Sequence, residues 1–117
     1  MADAMAQLCY GFPLKKKKKK LQKAIDKYEE DNNYEDDGFI FNDCTIEEYG
    51  IDSNKHFVSI KTFENFDFSE AERVNVTDIV EIGRDPENYR KLMSFAEKFS
   101  IKIKPDDIGW YLTSSLF

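Results

Sequence analysis

One helix signature limits most of what this chain can become. Asp85 stands before Pro86 and Glu87, and Tyr89, Leu92, Met93, Ala96 and Phe99 follow at the i, i+3, i+4, i+7 spacing of a single helical face. The aspartate side chain can accept free amide donors of the first turn, where Pro86 has no amide to leave unsatisfied. A helix with one apolar stripe has to bury it. The remaining segments decide what lies beneath.

Those segments read mainly as strands. Gln7 to Phe12 is short, apolar and aromatic, and it closes at Gly11 and Pro13. Gly38 to Ile46 puts Phe39 and Phe41 on one side and Ile40, Cys44 and Ile46 on the other. His56 to Phe68 carries Val58, Ile60 and Thr62 on one face, and its parity slips near Phe63 to Phe66, as at a bulge or bend. Arg73 to Val76, continuing toward Ile82, is a third candidate through Val74 and Val76. Beyond the Asp85 helix, Ile101 to Lys104 alternates apolar and basic residues, Pro105 to Gly109 makes a turn, and Trp110 to Phe117 reads as a final strand. A second amphipathic helix follows Pro13, with Leu14, Leu21, Ile25 and Tyr28 on one face, and runs to about Asn32.

A chain of 117 residues has the size of one core. Consecutive strands with no helix between them favour antiparallel pairing. The expectation is therefore a single α+β domain over residues 1–117. It has two layers, a mostly antiparallel sheet with two amphipathic helices on one face, in the order β-α-β-β-β-α-β-β.

Charge is divided sharply along this chain. Residues 15 to 27 hold eight Lys and one acid, whereas residues 29 to 52 hold ten acids and no Lys or Arg. Lys15, Lys16, Lys17, Lys18, Lys19 and Lys20 are consecutive, so on a helix they cover every face, and Lys17 and Lys18 share the stripe of Leu14 and Leu21. Lysines at a helix amino end and Glu29, Glu30 and Asp31 at its carboxyl end both oppose the macrodipole, and Lys15/Lys19 and Lys16/Lys20 repel at i, i+4. Helix energetics alone do not account for that layout. A solvated, partly frayed basic tip is the plain reading; a docking patch for an acidic protein surface or for phosphates is the functional one. Nucleic acid fits less well, because Glu29, Glu30, Asp31, Glu35, Asp36 and Asp37 adjoin the lysines and would repel a polyanion.

Asn33 to Ile40 resembles an EF-hand calcium loop, with Asn33, Glu35 and Asp37 at positions one, three and five and Gly38 at position six. Cys44 then stands at position twelve, where such a loop needs a bidentate Glu, and the following residues alternate like a strand. An acidic turn leading into a strand explains the segment, and no metal is expected.

Material for catalysis is thin. His56 is the one imidazole and opens an apolar strand, which suits a structural histidine. Ser114 and Ser115 lie in the last strand outside any GxSxG elbow, phosphate-binding glycine motifs are absent, and Asp36-Asp37 and Asp106-Asp107 are adjacent acids in turns. The expectation is a non-enzymatic chain with no cofactor. Cys9 and Cys44 have no spacing of a zinc site or a disulfide framework and read as buried thiols of a reducing compartment. With no basic leader before an apolar stretch and no apolar run approaching ~18 residues, a cytoplasmic protein without a membrane segment is expected.

The last third, from the Asp85 helix through IKIKPDDIGWYLTSSLF, resembles the helix-strand-turn-strand end of small bacteriophage proteins that finish in a GWYL-type aromatic strand. It covers roughly 30 residues and brings over no functional residue. The resemblance implies an accessory factor, acting in the host cytoplasm, that binds and modulates a host or defence protein. Trp110, Tyr111 and Leu112 are equally explained as core and face residues of a terminal strand. Taken together, the residues point to a protein-binding module that docks through Lys15 to Lys20 and the acids from Glu29 to Asp37. Self-association, nucleic-acid binding and divalent-metal binding are the alternatives.

Overall fold

The computed structural model describes residues 4–14, 18–31, 40–51, 55–65, 71 and 73–116. Five strands and three helices follow one another: β1 (Ala4–Pro13), α1 (Lys18–Asp31), β2 (Ile40–Phe41), β3 (Cys44–Ile51), β4 (Lys55–Asn65), α2 (Val76–Arg84), α3 (Pro86–Lys98), a 3₁₀ turn (Pro105–Asp107) and β5 (Gly109–Leu116). The α+β expectation holds.

The strands lie in the order β2-β3-β4-β1-β5, and all of these neighbours are antiparallel. The far end of β5 also returns to β3, in parallel, through Gly50↔Ser115 and Ile51↔Leu116. β3, β4, β1 and β5 thus close on themselves, which gives the sheet an outer face under helices and a narrow inner one. Gly50, at φ 89, supplies the backbone conformation at this junction.

The outer face holds the main core. Tyr10, Phe12, Cys44 and Val58 from the strands meet Ile25 of α1 and Leu92, Phe95, Ala96 and Phe99 of α3. Phe41 stands edge-on to Phe95 and Phe99, with centroids 6.1 and 5.6 Å apart. α3 starts as its sequence requires: Asp85 Oδ1 accepts from the Glu87 amide at 2.9 Å, and Pro86 takes the first position. It ends at Ser100, whose φ of 55 is left-handed, with Ser100 N donating to Glu97 O and Ile101 N to Ala96 O at 2.7 Å.

Several segments depart from the sequence reading. Arg73 to Val76 is no strand, because Asn75 caps α2, its side chain accepting from Thr77 N at 2.9 Å. That helix carries Ile79 and Ile82 inward, so a cap outweighs the β-branched alternation of Val74 and Val76. The helical layer therefore has three members, and the observed order is β-α-β-β-β-α-α-β. Ile101 to Lys104 stays outside the sheet; its alternation reflects Ile101 and Ile103 packing on the core.

Asn42 and Asp43, at φ 51 and 62, form a two-residue hairpin turn that divides the segment read as one strand over Gly38 to Ile46. Phe41 and Cys44 become direct partners on one face instead of opposite ones. The parity slip in β4 falls at Ile60, not near Phe63, because Tyr10 pairs with Lys61 while Gly11 pairs with Ser59. Thr62 consequently faces inward beside Cys9. Pro13 closes β1 and does not open a helix, and α1 begins at Lys18, beyond Leu14.

Candidate functional site

Six of the expected partner-binding residues, Lys18, Lys19, Lys20, Glu29, Glu30 and Asp31, lie on α1. The helix starts inside the lysine run, and its first turn contains no acid and its last turn no base. Both ends therefore run against the macrodipole. Among its described side chains, Leu21, Ala24 and Ile25 pack on the core, while Lys23, Lys27 and Glu30 are exposed. Gln22 Nε2 donates to Asp26 Oδ1 at 2.8 Å along the outer face. Lys18, Lys19, Lys20, Glu29 and Asp31 are placed by backbone as helical residues. Lys15, Lys16, Lys17, Glu35, Asp36 and Asp37, with Asn33 and Gly38 of the calcium-like loop, lie outside the described residues.

Cys44, the twelfth position of that loop, is fully buried in β3, and its thiol donates to Asn42 O at 3.5 Å. Among the described residues no three His, Cys, Asp or Glu side chains converge on a point that could hold a metal ion. Among them, too, no helix is long and apolar enough to cross a membrane.

The residues weighed for catalysis take ordinary places. His56 lies in β4 opposite Glu48 of β3, its Nε2 3.7 Å from Glu48 Oε1, and its carbonyl accepts from Leu14 N at 3.0 Å. Ser114 is exposed and Ser115 is buried on the inner face, where the parity of β5 puts it with Tyr111 and Thr113. Both cysteines are free and fully buried, on opposite faces of the sheet. Burial pushes the Cys9 thiol above its ordinary value; hydrogen bonds from Thr62 and Thr113 oppose the shift, and Glu47 and Glu64 add to it. Burial pushes Cys44 up to about 12, with Asp43 adding and Lys91 opposing. Burial thus favours the protonated form of both thiols.

The inner face is polar where it could have been oily. Thr113 Oγ1 donates to Gln7 Oε1 at 3.1 Å, Gln7 Nε2 donates to Glu64 Oε1 at 3.4 Å, and the hydroxyls of Ser59 and Thr62 share a hydrogen at 2.8 Å. Phe57 packs edge-on against Tyr111 at 5.2 Å, and Tyr111 donates to Asp107 O at 2.7 Å. These bonds satisfy buried groups and hold the narrow side of the sheet together.

One feature escaped the sequence reading. Among the described residues no helix covers one part of the outer face, and there Ala6, Leu8, Phe63, Val74 and Leu112, with Gln7, Glu64, Asn65 and Arg73, line a groove of about 270 Å³. Leu112 is 79% exposed. The groove is built firmly: Trp110 stacks on Phe63 at 6.1 Å, tilts against Tyr10 at 5.3 Å, and donates from Nε1 to Ile79 O of α2 at 3.2 Å. The shared parity of Trp110 and Leu112 was the available signal, since it places Leu112 on the face of the core. Comparisons with protein-family models, with curated proteins and with solved structures found no match to this chain.

Proposed function

We propose that this chain is a non-enzymatic protein-binding module whose basic α1 end docks on an acidic surface of a partner. The observation that carries this reading is the start of α1 within Lys15 to Lys20, with no acid in its first turn and no base in its last. Each misplaced charge costs a helix about 0.3–1 kcal/mol. A patch that weakens its own helix serves something outside it. The resemblance of the last third to phage accessory proteins is the ground for seeking that partner among host or defence proteins of the cytoplasm.

The test uses the full chain and a variant with Lys15 to Lys20 all changed to Gln. Both are titrated with an acidic oligoglutamate peptide and with a DNA duplex of equal charge, at low and high salt. Binding of the peptide in preference to the duplex, lost in the variant and weakened by salt, is the expected result. Equal peptide affinity of the two proteins removes the patch from the interface. Preference for the duplex moves the reading to nucleic acid.

A further inference from the structure

The open edge of β5 is a second docking surface, independent of the α1 end. We infer that it pairs antiparallel with β5 of a second copy, so that one sheet runs through a two-fold dimer with Leu112 beside the axis.

Backbone hydrogen bonds are the first ground. β1 pairs with β5 along one side from Gly109 to Leu116, whereas on the other side β3 reaches only Ser115 and Leu116. Trp110 to Ser114 make no further backbone hydrogen bond among the described residues. Roughly 17 Å of strand, at ~3.3 Å per residue, thus carries unpaired amides and carbonyls along this edge. An extended segment of another chain is the partner that satisfies such a row.

The second ground is the lack of any guard. Sheets protect their edges with charge, proline, a bulge or a very short strand. The opposite edge follows that rule: β2 is two residues long, and β3 beside it carries Glu47 and Glu48. Gly109 to Leu116 contains no charged residue and no proline, and its register with β1 is unbroken. Nothing in this strand repels another.

Side chains decide the occupant. Leu112, in the middle of the open stretch, is 79% exposed, and the other exposed large hydrophobics among the described residues are Val76 and Val80 of α2, the helix that Trp110 ties to β5. In an antiparallel edge pair the two-fold axis stands perpendicular to the sheet, so both helical layers come to the same side. Leu112 then faces its own counterpart with Cβ atoms about 4.5–5.5 Å apart, and both leave water. An unrelated strand would satisfy the backbone but would have to bring an apolar residue to that one position. A second copy brings it by symmetry, and the uncharged strand meets itself without like charges.

Sedimentation of the full chain over rising concentration measures the pairing, at high salt so that contacts of the charged α1 ends are screened. A dimer and nothing larger is expected, and the edge amides of Trp110 to Ser114 should exchange more slowly as it forms. Leu112→Lys and Leu112→Glu each set like charges across the axis and should weaken the dimer at least about tenfold. Mixed in equal amounts at low salt, the two variants should pair with each other, which also shows that both are folded. Changing Lys15 to Lys20 to Gln should leave the dimer intact.

A parent chain that stays monomeric up to about 1 mM overturns the inference. So does a Leu112→Lys protein that dimerises like the parent, a mixture that stays monomeric, or exchange at Trp110 to Ser114 that ignores concentration. Open-ended assembly contradicts the two-fold, and loss of the dimer in the lysine variant would move the contact to α1.

Discussion

Gly11 of β1 lies against the carbonyl oxygen of Val58 in β4 so closely that a Cβ at position 11 would fall inside that oxygen. The contact coincides with the register slip between Tyr10 and Gly11, where β4 carries its extra residue. The bulge lets Val58 and Phe63 share the outer face while Ser59 and Thr62 share the inner one. Both the helix-covered core and the groove depend on it.

Gly11→Ala should therefore destabilise by about 3 kcal/mol, the upper end of overpacking costs, because backbone and not a flexible side chain stands in the way. Gly109→Ala, with nothing within 4 Å of its Cβ position, is the control. It should change stability by no more than about 0.5 kcal/mol. Urea unfolding of the two variants checks the pair, and similar losses would contradict the packing at Gly11.

Ser100 closes α3 in a conformation that glycine adopts without strain. Ser100→Gly should stabilise by about 1 kcal/mol, since the hydrogen bonds to Glu97 O and Ala96 O are backbone ones and survive. A lower urea midpoint would show that the left-handed cap is absent.

Trp110 ties α2 to the sheet through Ile79 O. Trp110→Phe removes that donor while Ile79 O keeps its place in the α2 ladder, so stability should fall by about 0.5–1.5 kcal/mol, the net worth of one hydrogen bond. Amide exchange should speed up in α2 more than in α3. Uniform acceleration would mean that the indole hydrogen bond does not hold this helix.

Cys44 gives the fold a pH limit. Its thiol holds its proton up to about 12 when folded, against an ordinary value of 9.0. The unfolded chain loses that proton first as pH rises, so the stability present below pH 9 declines above it, by at most about 1.4 kcal/mol per pH unit for one group. Cys9, Tyr10 and Tyr111 are shifted in the same direction, mainly by burial, and steepen the decline. Cys44→Ala should show a shallower fall in stability than the parent between pH 9 and 11; parallel curves would contradict the assignment.

The parts legible in the sequence are those decided locally. Asp85, Pro86 and the Leu92 to Phe99 stripe specify α3 without help from elsewhere, and Tyr10 and Phe12 mark an aromatic strand on their own. Val74 and Val76 misled because β-branched alternation is a weak preference, which the Asn75 cap and Asp78 in the first turn override. Asn42-Asp43 was a turn hidden inside an apolar run. The groove was out of reach for a different reason: Leu8, Phe63 and Leu112 become neighbours only through the order β4-β1-β5, which no local pattern encodes.

The lysine run was legible as an energetic fault of α1, and its purpose rests on that fault being real. Thermal unfolding of the full chain with Lys15 to Lys20 changed to Gln, a residue of equal helix propensity, measures it directly. Relief of the opposed dipole and of the i, i+4 repulsion should stabilise by about 1–2 kcal/mol and raise the midpoint by several degrees. A lower midpoint would mean that the fold itself needs these lysines, and a partner would no longer be required to explain them.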